Sequence, residues 1–309
     1  MTTGSSNRSV RDRLSKRLRT VGTPVGITIG PAVVWLALFV LVPLLFLIAV
    51  SFTTTDQQFN IIWQPTVSNY KDLLGGEGIA IWRTPFGKAL LLSYAIAIAT
   101  TITTLLVAFP AAYLLSKRSG RFVKVTMFFL LVPFFSVYIV RIYAWFTVFG
   151  QNGAANNILL SLGLINEPLA VFNYGIFPTI VSLTHAFVPY MLLTLYATLD
   201  GVDFSLTEAA RDLGATRLGA FRDVVLPLIS SGIVTGCVFV FVPALGAYLA
   251  PQLLGRGQFY MIGQMVVTRI YTQYSIGYGS TMAIFIVIAI IATIIVLYRV
   301  SGVRELVRQ

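Results

Sequence analysis

The passage EAARDLGATRLGAFRDVVLP, residues 208–227, is charged, rich in small residues and helical in spacing, yet apolar runs long enough to cross a bilayer flank it. On one side nothing charged lies between Glu167 and Asp200, and on the other nothing charged lies between Asp223 and Arg256. Farther out, uncharged gaps run from Arg19 to Asp56, Lys88 to Lys117, Lys124 to Arg141 and Arg269 to Arg299. A helix needs about 20 apolar residues to cross the hydrocarbon core. The gaps predict six transmembrane helices, over 27–52, 88–116, 125–149, 176–199, 229–249 and 279–298, the third of them admitting Arg141 into the membrane. Composition agrees: 57% of the 309 residues are hydrophobic, 11% are charged, and the mean hydropathy is +0.83. Those values are far from a soluble domain's and imply an all-α membrane protein.

Lys and Arg set the orientation. They gather in the tail before the first span (Arg8, Arg11, Arg13, Lys16, Arg17, Arg19), after the second (Lys117, Arg118, Arg121, Lys124) and at the end (Arg299, Arg304, Arg308). In a six-span chain these segments share one side, and the positive-inside rule makes it cytoplasmic. Both termini are therefore expected inside, with a basic tail over 1–26, a first helix over 27–52, a periplasmic loop over 53–87, a five-helix core over 88–298 and a second tail over 299–309. The net charge of +11 lies beside the spans, where topology and anionic lipid explain it without nucleic acid. The apolar stretch 27–52 is far longer than a signal-peptide core and reads as a retained anchor. The single Cys237 falls in the fifth span and excludes an internal disulfide.

Nothing in the chain suggests catalysis. Cys237 and the lone His185 have no partner spacing for a dyad, no metal-ligand cluster appears, and there is no phosphate-cradling GxxxxGK[ST] loop. His185 reads as a hydrogen-bonded packing histidine in the fourth span, with a proton relay as the alternative. Pro43, Pro110, Pro133, Pro189 and Pro243 stand inside spans, either as kinks that splay helices around a pathway or as ordinary membrane-helix prolines. The fifth span opens with Ser230, Ser231, Gly232, Thr235 and Gly236, a small-residue face suited to close packing on protein.

Within the opening passage, Ser205-Leu206-Thr207-Glu208 has the form of a capping box, which starts a helix near Leu206. Leu206, Ala209, Ala210 and Leu213 then share a face, and Gly214 is placed to end the helix in a left-handed conformation. A second short helix is expected from Thr216 to Val225, with Pro227 at the start of the fifth span. A merely solvated connection needs no small-residue contact face, so this helix-turn-helix is read as built to touch something.

These residues resemble the EAA loop of ABC importer permeases: Glu208-Ala209-Ala210, Gly214 after three intervening residues, then Leu226-Pro227. IVRIYAWFTVFGQNG (139–153), PYMLLTLYATLD (189–200) and LGAYLAPQLLG (245–255) are similar to permeases of the spermidine/putrescine type. The resemblance implies a type I permease-like core that pairs as a heterodimer with a second, homologous permease. It further implies two ATPase subunits holding ATP and Mg inside, an extracytoplasmic substrate-binding protein outside, and no cofactor in this chain. Ser205, Glu208, Ala209, Ala210, Asp212, Gly214, Leu226 and Pro227 would form the surface coupled to the ATPase.

The substrate pathway is expected among Phe134, Tyr138, Arg141, Tyr143, Trp145 and Tyr248. A polyamine, as the resemblance implies, calls for aromatic faces and carboxylates. The spans carry no carboxylate, and Ala247 and Gln252 stand where that family leads one to expect acidic residues. Two substrate classes stay open: a polyamine with carboxylates supplied by the partner permease, or an anionic or zwitterionic solute paired with Arg141. Arg141 itself reads either as a structural clamp or as a substrate contact. An ion-coupled secondary transporter is the alternative outside this class, and it would require intramembrane carboxylates and usually an internal repeat.

Overall fold

The computed structural model describes residues 30–56, 60–75 and 80–300. The tail over 1–26 and residues 301–309 lie outside the described residues, as do the side chains of Pro133, Phe134, Tyr298 and Val300.

The described residues are mostly helical. Helix α1 (Gly30–Ser51) leads into a short antiparallel pair, β1 (Thr54–Thr55) and β2 (Ile61–Ile62), in the register Thr54 to Ile62 and Thr55 to Ile61. There follow α2 (Ser68–Leu73), α3 (Pro85–Ser116), α4 (Arg121–Leu131), α5 (Tyr138–Val148), α6 (Ala154–Ser161) and α7 (Ile176–Leu199). The remainder comprises α8 (Ser205–Asp212), α9 (Arg217–Ala220), α10 (Leu226–Leu228), α11 (Ser230–Leu245), α12 (Leu249–Gly255), α13 (Ile262–Val267) and α14 (Ile276–Val300). Among the described residues four helices are long and apolar enough to cross a membrane: α1, α3, α7 and α14. The arm 217–228 and α11, bent by 67° at the break between them, make a fifth if counted as one span.

Two of the expected spans differ in form. The third, read as one helix over 125–149, is broken into α4 and α5 by a 3₁₀ turn at Val132–Phe135 and an extended Val137. Pro133 contributes the break: lacking an amide hydrogen it cannot donate to the Phe129 carbonyl, so the α-helical ladder ends there although Val132 itself stays helical. The fifth ends at Leu245, short of the expected 249, and the chain restarts as α12 after Gly246. By contrast α7 has the bounds read from the sequence, and α3 starts slightly early because Thr84 accepts from the Gly87 amide (3.0 Å) with Pro85 in the first turn.

The core is the bundle of α3, α7 and α11. Leu183, Met191, Leu195 and Leu199 of α7 are fully buried against Ile96, Ala97, Ala108 and Ala112 of α3 and Val240, Ala244 and Leu245 of α11. The small-residue face of α11 packs on protein as expected: a Cβ added at Gly232 would lie 2.1 Å from Thr198 Oγ1, and one at Gly236 would lie 2.5 Å from Met191 Sδ. Helix α1 stands apart and is tied down at its C-terminal end. There Asn69 Nδ2 donates to the carbonyls of Ser51 (3.0 Å) and Thr53 (2.8 Å), the Ser51 and Tyr70 hydroxyls share a hydrogen bond (2.7 Å), and Thr281 Oγ1 donates to the Ser51 carbonyl.

Candidate functional site: a two-armed segment and a tyrosine-arginine cavity

The segment after α7 folds as two short arms joined by a tight turn. The capping box expected at Ser205 and Glu208 is not formed. Helix α8 starts at Ser205 itself, Phe204 in the cap position makes no side-chain cap bond, and the Glu208 amide bonds to the Phe204 carbonyl in ordinary helical fashion (3.3 Å). Asp203 displaces the expected pattern by accepting from the Ser205 amide at 2.9 Å. A carboxylate two residues upstream is a stronger acceptor than a hydroxyl. Hydrogen bonds from the Ser205 side chain and amide hold the Asp203 carboxyl below its usual range.

The other end of α8 is as the sequence implies. Gly214 has φ +95°, its amide bonds to the Arg211 carbonyl (2.9 Å), and the Ala215 amide reaches back to the Ala210 carbonyl (3.0 Å). That pair of bonds is the Schellman arrangement. Thr216 then caps α9 by accepting from the Gly219 amide (3.0 Å). The second arm runs past Val225 as far as Leu228, through a π-helical turn at Phe221–Val225. Pro227 therefore lies in the last turn of the arm, before the 67° bend, and not at the start of the fifth span. Lacking an amide hydrogen, it cannot donate to the Asp223 carbonyl, and the wider π turn absorbs the mismatch.

One side of the arms is fixed and the other is bare. Ala220, Val225 and Ile229 are fully buried. Phe221 packs edge-on against Phe109 (5.8 Å) and Tyr113 (6.0 Å) of α3, Phe204 packs on Tyr113 (6.1 Å), and the Lys117 ammonium sits 4.3 Å over the Tyr113 ring. Facing away, Leu213 is 90% exposed and Leu218 75%, with Leu206, Glu208, Ala209, Asp212, Leu226 and Pro227 also exposed and Ala210 half-buried. Sequence reasoning missed the aromatic anchor, although Phe109 and Tyr113, four residues apart on one helix, could have signalled it.

A second candidate lies within the bundle. Tyr138 and Arg141 of α5 and Tyr248 before α12, all of the expected pathway set, line a cavity of about 260 Å³ with Phe187, Tyr190, Pro243 and Ala247. Arg141 is 8% exposed and donates through Nη1 to the Ala186 carbonyl of α7 (3.2 Å), beside the gap that Pro189 leaves in that helix. Tyr138 stacks on Phe187 at 6.4 Å.

The rest of the aromatic stripe goes elsewhere. Trp145 stacks on Phe149 (5.4 Å) and meets His185 edge-on (5.6 Å), lining a separate apolar cavity of about 710 Å³ between α3 and α7. Tyr143 is exposed, and the Phe134 side chain lies outside the described ones. Gln252 is exposed, whereas Ala247 is buried on the cavity wall. Tyr190 and Phe187 are cavity residues that the sequence reading passed over. No group of three or more His, Cys, Asp or Glu able to hold a metal ion occurs among the described residues.

Residues 104–304 match the family described as binding-protein-dependent transport system inner membrane component. The spermidine/putrescine transport system permease protein PotB of Haemophilus influenzae is 30% identical over 276 residues, covering 89% of this chain and 93% of that protein. PotB of Escherichia coli is 30% identical over 86% of this chain and 94% of its own length. The inner membrane ABC transporter permease protein YdcU of the same organism is 31% identical over 85% and 84%. In three dimensions the chain resembles a chain of a bacterial ABC transporter involved in import of the acidic polysaccharide alginate, with a TM-score of 0.63, 16% identity and coverage of 94% of this chain and 98% of that one. At that identity the likeness establishes the fold. With the family match spanning most of the chain and the relatives aligned along nearly all of it, the protein belongs to the binding-protein-dependent transport inner-membrane components and is a multi-pass ABC importer permease.

Proposed function

We propose that this chain forms half of a translocation pathway with a second, homologous permease, driven by two ATPase subunits that hold ATP and Mg, and supplied by an extracytoplasmic binding protein. The observation that carries the reading is the two-armed segment over 205–228. Its aromatic side is locked to α3 while Leu213 and Leu218 stand 90% and 75% exposed. Bare leucines on an otherwise ordered surface mark a contact face. On this reading the face docks on the ATPase, and the anchor passes the ATPase's movement to the bundle of α3, α7 and α11. The positive-inside distribution supports six spans in a type I arrangement, with α4 and α5 together as the broken third, both termini inside and the segment over 53–87 outside.

For the solute we propose a short organic amine. The named solutes of the PotB relatives, spermidine and putrescine, support that class, as do the tyrosine faces of the cavity at Tyr138, Tyr190 and Tyr248. Uptake by cells in which ATP is depleted while the proton gradient is maintained tests the drive: it collapses for an ATP-driven importer and persists for an ion-coupled carrier.

A further inference from the structure

A cavity of about 500 Å³ lies at the end of α3 opposite the arms, between that helix and the segment over 259–273. Pro85 begins α3 about 40 Å along the helix from Tyr113, on which Phe221 packs, so the cavity sits at the other membrane interface. Its lining is divided by polarity. Lys88, exposed in the first turn of α3, and Arg269, half-buried in the π-helical turn after α13, both line it. Ala89, Leu92, Phe259 and Met265 supply apolar wall, and Leu92 lies about 6 Å farther into the membrane than Lys88. Two contacts orient Arg269: Nη1 donates to Gln273 Oε1, and the guanidinium stands 5.0 Å from the centre of the Tyr278 ring. Asp72 and Arg83, of opposite charge, line a neighbouring cavity of about 420 Å³ that shares Arg269 as a wall.

We infer that this cavity binds an anionic phospholipid, whose phosphate seats between Lys88 and Arg269 while an acyl chain runs along Ala89, Leu92, Phe259 and Met265. The lining matches both halves of such a molecule. Lys and Arg at a membrane interface attract an anionic headgroup, the guanidinium through paired hydrogen bonds to phosphate oxygens and the ammonium as a point charge. The apolar wall then continues down α3 into the depth of the hydrocarbon, which an acyl chain fills and the surface of a soluble protein does not reach. The two cations come from separate segments that the fold already holds together. The Ile262 amide at the start of α13 donates to the Ser93 hydroxyl of α3 (2.8 Å), farther into the membrane than Lys88. A phosphate bridging Lys88 and Arg269 would join the same two segments at the interface.

The test uses the assembled importer in detergent and phosphatidylglycerol carrying a photoreactive group on its acyl chain. Irradiation is expected to label peptides containing residues 85–92 or 259–273. Unlabelled phosphatidylglycerol is expected to compete, and phosphatidylcholine, whose headgroup has no net charge, to compete far more weakly. Lys88→Gln together with Arg269→Gln is expected to lower the labelling by about tenfold or more, the effect of two cations near an anionic headgroup. Because Arg269 also packs on Tyr278, Lys88→Gln alone serves as a second variant, expected to lower labelling by about fivefold, with Lys88→Arg retaining it. Equal competition by phosphatidylcholine, or labelling that survives Lys88→Gln unchanged, overturns the assignment. Competition by glycerol phosphate as effective as that by phosphatidylglycerol gives the cations to a free phosphate and overturns the lipid. No labelling of these peptides in the assembled importer, the outcome if the partner permease fills the cavity, overturns it as well. None of these outcomes bears on the drive for transport, which ATP depletion tests separately.

Discussion

Replacing Gly214 with Val should uncouple the subunit from its motor while leaving it folded in the membrane. Gly214 adopts φ +95°, and the Schellman bonds of its own amide to Arg211 and of Ala215 to Ala210 depend on that conformation. A non-glycine residue there costs about 1–2 kcal/mol, and a β-branched one more. Such a cost lowers the population of the correctly turned arms by about 5–30-fold. Among the described residues nothing lies within 4 Å of a Cβ added at this position, so a clash with them cannot produce the effect. The assay is co-purification of the ATPase with the permease at matched membrane levels, followed by ligand-stimulated hydrolysis. Gly214→Asn separates the two possible causes, because Asn tolerates the left-handed conformation. Recovery with Asn assigns the loss to the backbone, and failure of both variants assigns it to the approach of the ATPase surface. Wild-type co-purification and hydrolysis by Gly214→Val would refute the coupling role of this turn.

Other outcomes follow from the same structure. Glu208→Lys places a positive charge in the first turn of α8, where the helix dipole disfavours it by about 0.3–1 kcal/mol; inserted protein should be normal in amount, with reduced ATPase co-purification. Asn69→Ala removes the donor to the Ser51 and Thr53 carbonyls and should lower stability by about 1–3 kcal/mol, seen as a lower Tm of the purified chain in detergent. A cysteine replacing Trp63, which is 60% exposed, should react with an impermeant thiol reagent from outside intact cells, and protection there would contradict the topology. The purified chain free of its partners should neither bind nor hydrolyse ATP, checked by equilibrium binding and phosphate release.

The helices α3 and α7 were legible in the sequence because their signal is local: a long uncharged run fixes a span almost regardless of context. The left-handed Gly214 was legible for the same reason, since a glycine after a helical face has one common use. What escaped was competition between neighbours. Asp203 and Ser205 both can cap α8, and the carboxylate prevails. Pro133, which the sequence allows either as a kink or as an ordinary membrane-helix proline, falls in the 3₁₀ turn that separates α4 from α5. The cavity was half legible: Tyr138 and Arg141 lie one turn apart on α5, so they share a face, while Trp145, a further turn along that face, meets His185 and lines the other cavity. Tyr190 and Ala247 enter only through the packing of α7 and the α11–α12 corner, which no spacing within one helix reveals.

The most direct test of the account is a photo-crosslinking residue placed at Leu213, the most exposed leucine of the arm, in the assembled importer. The account predicts that irradiation joins this position to the ATPase subunit, and that the yield changes between nucleotide-free and ATP-bound states. Crosslinking to lipid alone, or to the permease itself with no ATPase adduct in either state, would contradict it.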